Sequence, residues 1–517
     1  MSTNKSIVRS AGIIGIATLL SRVLGFVRDI MFAAIFGTGI SAQAFVVAFR
    51  IPNLMRDLIG EGATNSAVVP VLVEELNLEG KEAFWKLANI ILNLILVILC
   101  ALTVAGFLFS RPIVFAMAPG FLEDSLKLDI TVVLTKVMFP YLIFIGLSAY
   151  GMGVLNSIRH FAAPAFGPGL LNVSLIACMF IWRQDITGLA IGVLAGGILQ
   201  ALIQIPVLLK SGMTFTQSGF SHPRVKKILR LLLPRVFGSG IYQINVFVAT
   251  ALASIGRIVG EGAVAALYFS NRIMQLPLAV FAVALAQASL PELSGYIVNK
   301  QGREFSRSIN FLLRVIFFLL LPATAGLAVL SGPITKILLQ RGAFGSYSTS
   351  ITASALFYCS FGLLSYGVIK ILVNGFYAMQ DTRTPVKLAA ISLMANIMFS
   401  AAFMFKLKVG GLALAGSLAG ALNAIMLFSA LKKRAGTFYE KMLFVSLLKI
   451  VTASVITGAG AYQTYLFLAR ILPARPAFSM AALALTICSA VVFYAIACFL
   501  LRVKEFEELR SWISRKR

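Results

Sequence analysis

Six arginines define the chemistry open to this chain, because of where they stand. Arg22, Arg28, Arg50 and Arg56 fall within or at the ends of the first two apolar segments, and Arg235 and Arg272 occupy matching places in the seventh and eighth. A guanidinium at mid-membrane costs about 3 kcal/mol on insertion scales, so six facing lipid would cost on the order of 18 kcal/mol. That rivals the whole stability of a folded domain. They must therefore face a water-filled interior, and a cavity lined with fixed positive charge needs something anionic to hold. The pattern is that of a transport pathway.

The elements that position these residues follow from composition. The chain of 517 residues is 59% hydrophobic and 12% charged, with a mean hydropathy of +0.92, against a charged fraction near 25% in soluble domains. Apolar runs of about 20 residues or more, separated by short polar breaks, predict helices; the strands of a membrane barrel would alternate over about 10 residues. Fourteen spans are predicted, centred near Leu19, Val46, Leu96, Ile143, Leu171, Leu194, Phe247, Phe281, Leu319, Phe361, Leu393, Ala419, Val455 and Ile487. The fold class expected is an all-α polytopic membrane protein. The first run follows a single Lys5, contains Arg22 and shows no small-residue cleavage site, so it is expected to stay as a span.

The five cysteines lie within apolar runs at unrelated spacings, which argues against disulfides or a metal site. His160 and His222 fall in short polar loops, and no chemistry is assigned to them. No cofactor is expected. Net charge +26 would suit nucleic acid, but its distribution does not. With a cytoplasmic N-terminus, loops on that side hold about 25 of the 45 Lys and Arg, and the opposite loops about 10. This is the positive-inside pattern, with both termini cytoplasmic. Basic clusters beside helices also suit anionic lipid headgroups.

The sequence is internally duplicated. Arg22-Val23-Leu24-Gly25 is echoed by Arg235-Val236-Phe237-Gly238, Arg50 by Arg272, Pro70 by Pro291 and Pro164 by Pro385. The displacement is nearly constant, at about 220 residues, which is the mark of a repeat. Two six-helix repeats follow, residues 1–215 and 216–436, with two extra spans and a basic tail in 437–517. An even helix number makes both repeats enter the membrane from one side, so substrate is expected between them at mid-depth.

Within the first repeat, Ser21 and Arg28 are seven residues apart and share a helix face, as do Arg22 and Asp29. Arg22 and Arg28 point apart unless the helix bends, and Gly25 between them is a candidate kink. Pro52 removes a backbone hydrogen bond between Arg50 and Arg56, a break tolerated where water or protein meets the freed carbonyl. Bland readings stand beside these. Arg56, next to Asp57, could be a simple orientation charge; Arg28 has Asp29 to neutralise it for packing alone; Arg235, after Pro234 and a basic loop, could set topology. Arg22 and Arg272 are hardest to explain that way.

Ser21-Arg22-Val23-Leu24-Gly25-Phe26-Val27-Arg28-Asp29, then Ala48-Phe49-Arg50-Ile51-Pro52-Asn53-Leu54 and Glu61-Gly62, resembles the MurJ (MviN) lipid II flippases of the multidrug/oligosaccharidyl-lipid/polysaccharide exporter superfamily. The resemblance covers essentially the full length. It implies a monomeric protein of the bacterial cytoplasmic (inner) membrane that carries lipid II, the undecaprenyl-pyrophosphate-linked peptidoglycan precursor, to the outer leaflet. It further implies a cationic cavity for the headgroup and a groove for the lipid tail along the last two helices. By motif, the essential cations correspond to Arg22, Arg28, Arg56 and Arg272. Asp29, Arg50 and Glu61 hold supporting places, and Ser21, Gly25, Pro52, Asn53 and Arg235 are further supporting candidates. The chain departs from the family at two positions: Gln43 stands where many members carry Asp, and Asn271 where some do.

Residue chemistry points the same way. A pyrophosphate presents oxygens in pairs that guanidinium forks match bidentately. A drug or cation antiporter of the same superfamily would need buried acids, and Asp29 is the clearest acid in a span. A polyprenyl-phosphate glycosyltransferase would need a carboxylate constellation, and the dense acidic group Glu123, Asp124 and Asp129 falls on the expected outer side, where nucleotide sugars are absent. An exporter of another polyprenyl-linked glycan stays open on cation placement alone.

Overall fold

The regular structure is helical throughout, in a computed structural model that describes residues 2–56, 67–214, 219–436, 438–473 and 475–508. Asp57 and Glu61 lie outside the described residues, as does the side chain of Arg235. Among the described residues, ten helices are long and apolar enough to cross a bilayer, or eleven if Ser346–Ser360 and Gly362–Ala378, bent by 43°, form one span. The expected total of fourteen is not confirmed. The centres left over are Leu19, Val46 and Phe247, which lie in the helices Ser2–Phe36, Ile40–Met55 and Pro223–Ala253. Two of these contribute only the shorter apolar stretches Ile40–Leu54 and Gln243–Ala253.

By packing, the chain divides into two compact units, Met1–Ile255 and Gly256–Arg517. The order of helices in the first recurs in the second. Helices beginning at Gly80, Ser110, Ser125, Tyr141 and Ala162 have counterparts beginning at Gly302, Ser331, Ser346, Gly362 and Arg383, each displaced by nearly the same interval. A packing detail recurs with them. A Cβ on Gly146 would lie 2.2 Å from Leu99, and one on Gly367 would lie 2.3 Å from Leu320; glycine and leucine are both displaced by that interval. In hydrocarbon no hydrophobic force draws helices together, so close approach at small residues supplies the attraction. Each unit therefore seats the same leucine in the same glycine notch.

Some hydroxyls inside the spans bond back to their own helix. Thr131 Oγ1 donates to the Lys127 carbonyl at 2.7 Å and Thr135 Oγ1 to the Thr131 carbonyl at 2.7 Å, one turn back, so they are carried through apolar surroundings without orphaned donors. In the second unit the long helix Glu440–Ile471 packs on Gly302–Val329 around Ile450, Ala453, Phe317 and Phe318. A buried ion pair secures this contact. Arg314, with its side chain 6% exposed, meets Glu505, 4% exposed, and Ser446 Oγ donates to the same carboxylate at 2.7 Å. Breaking one partner of such a pair would strand a charge in a dry site.

Candidate functional site

The first helix sets the geometry. Ile16, Leu19, Leu20, Val23 and Val27 are exposed, and their spacing places them in one stripe suited to lipid. Ser21, Gly25 and Arg28 share the opposite face, which packs on the helix Ala162–Ile181. There they converge on one side chain, Asn172. Arg28 Nη1 donates to Asn172 Oδ1 at 2.9 Å, while Asn172 Nδ2 donates to the Ser21 carbonyl at 3.0 Å and the Pro168 carbonyl at 3.2 Å. Arg28 Nη2 and Nε also donate to Asp29 Oδ1, at 2.6 Å and 3.1 Å. The two side chains are only 11% and 8% exposed. The seven-residue relation of Ser21 and Arg28 is thus realised as a shared partner.

Gly25 introduces no break. The helix runs unbroken from Ser2 to Phe36, and a Cβ at Gly25 would lie 3.5 Å from Asn172, an ordinary contact. Asn172 packs beside Gly25, where a small side chain would also fit. With no break, Arg22 and Arg28 do not converge. Arg22 is exposed, and on a helical wheel it lies about 120° from the apolar stripe.

The second helix differs from expectation in the same sense. It continues through Pro52 and ends only at Met55, so Pro52 is absorbed without breaking the segment. Arg50 donates from Nη1 to Thr250 Oγ1 of the helix Pro223–Ala253, and Thr250 Oγ1 in turn donates to the Val246 carbonyl at 2.6 Å. Arg50 thereby ties two helices of the first unit together. Arg56 caps the end of its helix, its backbone N–H reaching the Asn53 and Pro52 carbonyls. Gln43, where the resemblance leads one to expect an acid, is buried at 3% exposure. A neutral amide avoids the cost of an uncompensated charge there.

In the second unit Arg272 stands on Ala263–Pro277, half-buried, with its guanidinium carbon 5.1 Å from the centroid of Tyr268, one turn earlier. Such a cation–π contact holds the plane of the guanidinium. Directly after Pro277 the chain widens into a π-helical turn, Leu278–Val283, a deviation frequent at functional sites. Asn271 is half-buried beside it.

Sequence reasoning missed Asn172 and Thr250, whose partners are distant in the chain. It also missed Lys370. That residue is exposed on the apolar helix Gly362–Ala378, between Tyr366 one turn before and Tyr377 two turns after, all on one face. The signal was available: a lone amide or ammonium inside an apolar run. Among the described residues no group of three or more His, Cys, Asp or Glu could hold a metal ion. What the arrangement offers chemically is donors for an anion.

A bundle of two helical units with recurring order is the architecture of a transporter superfamily. A solved multidrug resistance MATE transporter in its inward-facing conformation superposes with a TM-score of 0.69 over 80% of this chain and 94% of its own, at 16% identity, a likeness of fold. A solved lipid II flippase MurJ, in an inward closed conformation, is nearer, with a TM-score of 0.79 over 94% of this chain and 99% of its own, at 27% identity. The lipid II flippase MurJ family profile matches residues 32–496. A probable lipid II flippase MurJ of Rhizobium meliloti is 36% identical over 514 residues, covering 95% of this chain and 94% of its own. The lipid II flippase MurJ of Burkholderia cenocepacia is 37% identical over 426 residues, covering 81% and 82%. The chain belongs to the lipid II flippase MurJ family. It is a multi-pass membrane transporter, not an enzyme.

Proposed function

We propose that this chain moves lipid II from the inner to the outer leaflet of the bacterial cytoplasmic membrane by alternating access, and that its arginines bind the pyrophosphate. The observation that carries the substrate is the relationship over 95% of the chain to a protein named for lipid II. Five cations form the proposed binding set: Arg22, Arg28, Arg50, Arg56 and Arg272. Their chemistry supports it, since guanidinium forks meet paired phosphate oxygens in two parallel hydrogen bonds. Asp29 keeps Arg28 aimed and partly neutralised while the site is empty; an entering diphosphate competes for the same donors. Ser21, Gly25, Pro52, Asn53, Glu61 and Arg235 act in support. Both termini are cytoplasmic, the protein acts as a monomer, and the repeats run over 1–215 and 216–436 with two added helices in 437–517.

The test is depletion in the native bacterium, with assay of the lipid-linked precursor that accumulates in the inner leaflet. Lipid II is expected to accumulate. Accumulation of a capsule or O-antigen intermediate with normal lipid II export would overturn the choice of substrate.

A further inference from the structure

One end of the second unit carries a charge excess that the proposed transport step does not use. The helix ends and connections in 330–345, 406–408 and 470–475 hold Lys336, Arg341, Lys406, Lys408, Arg470 and Arg475, all exposed, with no acid among them. The same end includes the turn before Ala263, where Arg257 and Glu261 offset each other in charge and the Glu261 carbonyl accepts from Tyr347 Oη at 2.9 Å. The corresponding turns of the first unit are balanced: Arg111, Lys127 and Arg183 stand against Glu123, Asp124, Asp129 and Asp185. By the positive-inside rule an outer end should be poor in Lys and Arg. A basic outer end therefore needs a local anion.

The structure also places a seat there. A cavity of about 430 Å³ is lined by Lys336, Gln340, Ser346, Thr349, Tyr465 and the apolar flank of Pro333. Arg341 is committed elsewhere, its Nη2 donating to the Ile337 and Leu338 carbonyls at 3.0 Å each. Lys336 makes no ion pair with any described residue and is the cation left to meet a ligand. A single ammonium in a mostly apolar cavity, with the Gln340 amide and the Ser346 hydroxyl beside it, suits the one phosphate of a lipid; a diphosphate would call for the paired forks found elsewhere in the chain. Because the cavity opens between a short helix and the flank of Glu440–Ile471, an acyl chain attached to that phosphate can lie along the exposed ring of Tyr462, on the same side of that helix as Tyr465. We propose that this end of the second unit binds the phosphate of an anionic phospholipid, with Lys336 as its specific contact. That the lipid comes from the outer leaflet rests on the proposed orientation of the termini; binding itself does not.

The experiment uses the full-length chain, delipidated in detergent, with binding of phosphatidylglycerol read by native mass spectrometry. Phosphatidylcholine, lipid II and inorganic phosphate serve as separate probes. Phosphatidylglycerol should bind in preference to phosphatidylcholine, and Lys336→Gln should weaken it roughly five-fold, as expected for one interfacial cation. Lys336→Arg should retain binding, and Lys433→Gln at the opposite end should leave it unchanged. Equal binding by Lys336→Gln and wild type, equal uptake of phosphatidylcholine, displacement by inorganic phosphate, or tighter occupation of this seat by lipid II would each overturn the proposal. No transport is measured, so failure here leaves the flippase reading standing, and failure of that reading leaves this one.

Discussion

Five consecutive helices recur in the same order in the two units, yet the arginines proposed to bind the diphosphate are held differently in them. In the first, Arg28 is locked by Asp29 and Asn172, and Arg50 by Thr250. In the second, Arg272 rests on an aromatic ring and Lys370 stands exposed on a face with two tyrosines. Packing was duplicated and kept, as the Gly146–Leu99 and Gly367–Leu320 notches attest; electrostatics diverged. A hydrogen-bonded, ion-paired guanidinium is positioned before any ligand arrives, whereas a ring contact acts on the face of the guanidinium.

The comparison is broken most severely by removing the cations themselves. Arg28→Ala and Arg272→Ala are each expected to abolish complementation, and Arg272→Lys to lose more than ten-fold in transport although charge is kept, because the fork is gone. Full activity of the lysine variant at normal protein level would reduce Arg272 to generic charge. A second test sharpens the claim that packing is shared. Gly146→Val and Gly367→Val should each destabilise the protein by about 1–3 kcal/mol through overpacking against the facing leucine, read as matched falls in thermal stability; a fall in one unit alone would mean the notches are not equivalent. Asn172→Leu comes next. It removes the shared partner of Ser21 and Arg28 and is expected to cost about 1–2 kcal/mol with reduced transport, while unaltered transport would make the clamp dispensable for positioning Arg28.

The smallest effect expected is at a loop of the second unit. Asp381 accepts from the Arg383 and Thr384 backbone N–H groups, both at 3.0 Å, and pairs with Arg434. Burial alone would raise its pKa, but hydrogen bonds from Thr384, the Arg434 charge and the Arg383 N–H outweigh it and hold the carboxyl below its ordinary value. Its stabilisation is therefore complete above the ordinary carboxylate pKa and is lost as pH falls through the lower folded value. Because the pair is near solvent, the loss should be under about 1 kcal/mol. Asp381→Asn should remove this acid-side dependence in thermal melts, and an unchanged pH profile would dismiss the pair.

Much of this was legible in the chain because it depends on spacing. The apolar runs, the constant displacement between the repeats and the common face of Ser21 and Arg28 are one-dimensional signals that helical periodicity converts directly into structure. The partners were not legible. Asn172 is 144 residues from Arg28, Thr250 is 200 from Arg50 and Glu505 is 191 from Arg314, and no local rule pairs residues at such separations. Gly25 and Pro52 misled for a related reason. Both weaken a helix in isolation, but the helix continues through each, so neither is a break.

The central claim, that guanidinium groups of both units handle the diphosphate of lipid II, is tested most directly by reconstituting the purified chain in vesicles. Lipid II placed in one leaflet is followed to the other by a reagent that cannot cross, for wild type and for Arg28→Lys and Arg272→Lys. Transfer by wild type, with both lysine variants slowed more than ten-fold while still incorporated and folded, is the predicted result. Transfer at the wild-type rate by both variants would contradict the account.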